Sequence, residues 1–140
     1  MTWKDITNAL RAVVMGGLWP NVRDFYDQGI YILNDRDKWK MNYATVIVDL
    51  QSATVTEDLT IFNVMLWYID RQKEDRTDTN DILADAISTL GEMANWLRYN
   101  VDDVFITADM IATPFQDRFA DECAGASLSL SIATHHNKLC

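Results

Sequence analysis

The stretch GASLSLSIAT, residues 125–134, alternates small and aliphatic side chains almost perfectly, a period of two that fits an extended strand. With Ala126, Leu128, Leu130 and Ile132 turned toward a core, the opposite face carries Gly125, Ser127, Ser129, Ser131 and Ala133, and nothing large projects there. One reading is a solvent-facing sheet surface, the usual second face of an antiparallel sheet. The other is subunit packing or the smooth wall of a channel. Exposed strands usually carry Thr, Lys, Glu or Arg, and an all-small face lets another backbone lie close.

The rest of the pattern supplies partners for that strand. Thr2 is placed to cap a first helix whose Ile6, Leu10, Val13 and Val14 share a face, and Gly16-Gly17 ends it. Strands are expected at 29–33 (GIYIL), 43–50 (YATVIVDL) and 58–69 (DLTIFNVMLWYI). The charged connection DRQKEDRTD, 70–78, precedes a second helix opening at Asn80-Asp81, with Ile82, Leu83, Ala86, Ile87, Leu90, Ala94 and Leu97 repeating at three and four residues. Gly91 inside it is expected to mark a close packing point, since glycine costs a helix interior about 1 kcal/mol relative to alanine. Two closing strands follow, 104–111 and 125–134, separated by Pro114 and a charged link. The order α-β-β-β-α-β-β lacks regular strand–helix alternation. It predicts an α+β fold, a two-layer sandwich with a mainly antiparallel sheet and two helices packed on one face.

At 140 residues the chain suits one domain, 1–140, with a short polar tail over about 135–140. Twelve Lys and Arg against 21 Asp and Glu leave a net charge of −9, the wrong sign for gripping nucleic-acid phosphates. The same charge suits the repulsive wall of a passage that DNA traverses without sticking. Two cysteines make no disulfide framework, the N-terminus lacks a signal-peptide pattern, and no run is long enough for a membrane helix. The expectation is cytosolic synthesis and no membrane partner.

Chemistry has few footholds. His135, His136 and Cys140, with Cys123 at the far end of the same strand, lack a CxxC and a fourth ligand for zinc. Asp102, Asp103, Asp117, Asp121 and Glu122 fall in predicted turns, where solvation or inter-subunit ion pairs suit them better than acid–base work. No nucleophile elbow, phosphate loop or dinucleotide fingerprint is present. The expectation is therefore a protein with no catalytic, cofactor or metal site. Among five tryptophans, Trp67 and Trp96 fit a core, while Trp19 and Trp39 beside turns either fold back over it or anchor an interface.

The helix, the strands, the long charged hairpin, the second helix and the closing strands precede a particular ending. It runs Pro114-Phe115, Arg118-Phe119, Asp121-Glu122-Cys123-Ala124-Gly125, an alternating strand and a polar tail to Cys140. That arrangement resembles bacteriophage tail-completion proteins of the tail-terminator type, and the ending, residues 111–140, is similar to versions from phages of gut Bacteroidetes, including crAss-like phages. The resemblance implies a non-enzymatic virion protein, assembled in the host cytoplasm into a six-fold or twelve-fold ring in the neck or tail. Portal, adaptor or tail proteins would be its neighbours, and DNA would pass through without specific binding. Interfaces between neighbouring copies are then expected at the charged loops 34–42 and 70–78, with Trp19, Trp39, Arg71, Lys73, Glu74, Asp75, Arg76, Ser127, Ser129, Ser131 and Cys140 as candidates. The alternative is a small acidic secretion chaperone, a dimer with an exposed apolar groove for an unfolded partner.

Overall fold

The computed structural model describes residues 2–27, 43–102, 104–106, 110–118 and 123–135. Helix α1 (Trp3–Met15) begins with a reciprocal cap: the Asp5 N–H donates to Thr2 Oγ1 at 3.2 Å, and the Thr2 N–H donates to Asp5 Oδ2 at 2.8 Å. Strands β1 (Asp24–Tyr26), β2 (Thr45–Val55) and β3 (Leu59–Arg71) precede helix α2 (Thr79–Asn100), and β4 (Val104–Ile106), β5 (Ile111–Arg118) and β6 (Cys123–His135) follow it. The fold is α+β, with six strands among the described residues in one mostly antiparallel sheet.

The sheet order is β1-β2-β3-β6-β4, with β5 also paired to β6. Among the described residues only β1 on β2 is parallel, and β6, with its alternating pattern, lies inside the sheet. It pairs with β3 along its whole length, from Leu59↔His135 to Arg71↔Cys123. Its other edge is shared by β4, beside 132–134, and β5, beside Cys123–Ser129.

One face of the sheet meets both helices. Ile6, Leu10 and Val14 of α1 and Ile82, Ala86, Leu90, Met93, Ala94 and Leu97 of α2 pack with Val46, Val48, Val64, Leu66, Leu128, Leu130 and Ile132 in one core. Each fully buried side chain such as Leu90 or Leu97 contributes roughly 1.5–3 kcal/mol, so a single helical glycine is easily outweighed. The predicted inward residues Ala126, Leu128, Leu130 and Ile132 all lie in this core. On α2 the predicted stripe holds except at its margin, where Ile87 remains 44% exposed.

Several boundaries differ from the sequence expectation. The predicted strand 104–111 is two strands, β4 and β5, and Pro114 sits inside β5 opposite Ala126 instead of separating strands. Pro is tolerated there because no strand pairs with the far side of β5 among the described residues, so no ladder donor is missed. β2 runs on past Leu50 to Val55 through a bulge between Leu50 and Ser52. β1 carries no strand pattern in the sequence, and the predicted strand at 29–33 lies outside the described residues. Gly91 is no packing point: a Cβ placed there meets no atom within 4 Å.

Candidate interaction surfaces

The serine face of β6 is built by its neighbours as much as by itself. Ser127 lies between Trp67 of β3 and Thr113 of β5, and Gly125 lies between Ile69 and Phe115. β3 and β5 flank β6 and so stand about 10 Å apart, yet the Trp67 and Phe115 ring centroids are 5.7 Å apart. The two rings therefore lean toward each other over the small residues of β6. Trp67 joins Ile47, Ile69 and Cys123 in a second, smaller core, with Tyr26, Tyr43, Met65 and Phe115 packed against it. Small residues are required here because large ones roof them. Ser127 is accordingly buried within its own chain, so it offers little to a neighbour, contrary to its assignment as an interface residue. Trp67 belongs to this second cluster, while Trp96 packs at the edge of the main core.

Toward the other end of the strand the face opens. Ser129 is exposed, between Met65 and an Ile111 that is 69% exposed. Ser131 Oγ donates to Asn63 Oδ1 at 2.8 Å, and Asn63 Nδ2 donates to Ser52 Oγ at 2.9 Å, a polar rung across three strands. Beyond it the β2–β3 hairpin outruns the core, and Gln51–Asp58 are exposed in succession, Val55 by 70%.

The charged connection is organised from within. The Arg76 guanidinium donates through Nη1 to the carbonyls of Lys73 and Glu74, at 3.1 and 3.2 Å, and through Nε to Asp117 Oδ1 of β5 at 2.8 Å. Buried Gln72 donates to that same Asp117 oxygen at 2.9 Å and accepts from Thr79 Oγ1 at 2.7 Å. Asp78, at the N-cap of α2, leaves its own helix uncapped and accepts instead from the Lys73 N–H at 2.9 Å. The Thr77 N–H and hydroxyl donate to Asp75, and these bonds hold its carboxyl below the usual range. A polar depression of about 230 Å³ opens between Gln72, Arg76, Thr79 and Asp117. Of the loop candidates, Arg71 stacks over the Tyr43 ring and Arg76 is tied inward, whereas Lys73, Glu74 and Asp75 are exposed on a shaped loop.

Trp19 folds back over the core instead of anchoring an interface. Its ring is 5% exposed and its Nε1–H donates to Glu92 Oε2 at 2.9 Å. Trp39, Cys140, His136, Asp103, Asp121, Glu122 and the loop 34–42 lie outside the described residues. Cys123 and His135 end opposite extremities of β6, about 40 Å apart at strand rise, so they share no site. Asp117 sits near the start of α2 and Asp102 follows its end, about 33 Å of helix away. Among the described residues, no three His, Cys, Asp or Glu side chains are grouped to hold a metal ion. No helix among them is long and apolar enough to cross a membrane.

One carboxylate stands apart. Asp70 is half-buried at the end of β3, and burial pushes its carboxyl above the usual range. The Arg71 N–H and nearby Arg23 pull it back, and Asp78 and Asp85 add to the rise. Beside it, burial likewise raises the Tyr68 phenol, whose oxygen accepts from Asn21 Nδ2 at 3.1 Å.

Comparison with known families finds no family model that matches this chain, and no curated protein matches it.

Proposed function

We propose that this chain is a structural virion protein of the tail-terminator type. Copies assemble side by side into a six-fold or twelve-fold ring in a phage neck or tail, joining portal-side and tail components around the DNA passage. The observation that carries the reading is the projecting end of the β2–β3 hairpin. Its residues Gln51 to Thr56 are exposed and include no Lys, Arg or Pro. Solitary sheets guard such an edge with charge, proline or a bulge, and here only the bulge at Leu50/Ser52 and the acidic tip Glu57-Asp58 do so. A neighbouring copy would cover it. Exposed Lys73, Glu74 and Asp75 on a preformed loop supply a second, chemically different patch, as a head-to-tail ring requires. The net charge of −9 suits a lumen that conducts DNA without gripping it.

Mass measurement and negative-stain imaging of the purified protein test this. A closed ring of six or twelve copies is expected. A stable dimer that binds unfolded peptide, the mark of an acidic secretion chaperone, would overturn it, and a passage lined mainly by Lys and Arg would overturn the role given to charge.

A further inference from the structure

Among the described residues, the non-glycine positions with positive φ are Arg76, at +61°, and Asp117, at +55°. Left-handed backbone is disfavoured for side chains with a Cβ, and Arg lacks the short polar group that eases it for Asp. These two residues, 41 apart in sequence, are bonded to each other. Each holds a turn of the chain. Arg76 gathers the carbonyls of Lys73 and Glu74, and Asp117 marks the register shift between Phe115 and Arg118, where β5 leaves regular pairing with β6. A single carboxylate oxygen, Asp117 Oδ1, accepts from both Arg76 and Gln72, and so clasps the segment before α2 onto the end of β5. The clasp is modest: its side chains are 36% and 52% exposed, a setting in which ion pairs are weak and screened by salt.

We propose that the Arg76–Asp117 pair is a salt-sensitive latch. Backbone strain, chiefly at Arg76, favours opening, and the exposed ion pair opposes it. Screening tips the balance, and residues 72–79 and the end of β5 then relax together while the core stays folded. Such openings belong to the low-stability end of a native ensemble. The opened state presents the freed Arg76 and Asp117 beside Lys73, Glu74 and Asp75, and so changes the charge and shape of that loop. The latch does not depend on ring formation.

Hydrogen exchange of the full chain, read by mass spectrometry on peptides covering 72–79 and 111–118, tests it against core peptides of β3 and α2. Salt is raised from about 0.01 M to about 1 M, shrinking the Debye length from about 30 to about 3 Å, and the mass of the species is recorded at each salt so that assembly is read separately. Exchange in both segments is expected to rise together by roughly three- to five-fold, the scale of an exposed ion pair, with the core unchanged. Asp117→Asn keeps an acceptor for Gln72 and tolerates the left-handed backbone. It is expected to open both segments at low salt and to lose the salt response. Exchange independent of salt in the wild-type chain, one segment opening without the other, or an unaltered salt response in Asp117→Asn would each overturn the latch.

Discussion

At Gly125 a Cβ would lie 1.8 Å from the Tyr68 carbonyl oxygen and 2.8 Å from its carbon, so any side chain must push β3 and β6 apart near the Arg71↔Cys123 end of their ladder. Gly125→Ala is expected to destabilise the fold by about 3 kcal/mol, the upper part of the overpacking range, as read from the urea midpoint. Asp70 makes the opposite kind of prediction. Its folded carboxyl titrates above the ordinary range, so between the ordinary and the raised value the folded chain holds more protons than the unfolded one, and stability falls as pH rises through that window. Ionised Asp70 therefore works against folding at neutral pH. Asp70→Asn is expected to be more stable than the parent at pH 7, with the difference shrinking on acidification and gone below the ordinary carboxylate range. Denaturation of the pair of proteins at several pH values measures it. Neither effect is readable in the sequence. Gly125 looks like one more small residue in an alternating strand, and Asp70 like the first of nine residues in a charged connection, until the fold puts the Tyr68 carbonyl against the one and half-buries the other near Asp78 and Asp85.

At the scale of elements, α2 and β6 were legible because their periods are long and unambiguous, 3.6 and 2 residues. Gly91 shows where legibility ends: its place in the helix could be read, but its surroundings could not, and they are empty. Gly91→Ala is accordingly expected to stabilise the protein by about 1 kcal/mol, the helix-propensity difference with no clash to offset it, seen as a raised melting temperature. The sequence predicts an end to β2 at Leu50 because residues 51–55 lose the apolar pattern. It continues as strand because β3 remains beside it to supply hydrogen bonds, which composition does not record. Pro114 misled for the related reason that a breaker in a central strand is harmless at an edge.

For the whole molecule, the exposed hairpin makes the ring proposal separable from the fold. Thr54→Lys adds charge to the exposed end of β2, so stability is expected to stay within about 0.5 kcal/mol of the parent. The assembled mass is expected to fall to that of smaller species, because a lysine on a joining edge is buried against a neighbour. An unchanged ring would remove this hairpin from the interface. What the sequence by itself determined is what depends on local period and charge: two amphipathic helices, strands enough for one mostly antiparallel sheet, the inward face of β6, and the chain's acidic balance. Only the tertiary structure decided which small residues are roofed and which are bare. Ser127 disappears under Trp67 and Phe115 while Ser129 stays open, because the width of that face is set by side chains from β3 and β5 that are far away in sequence.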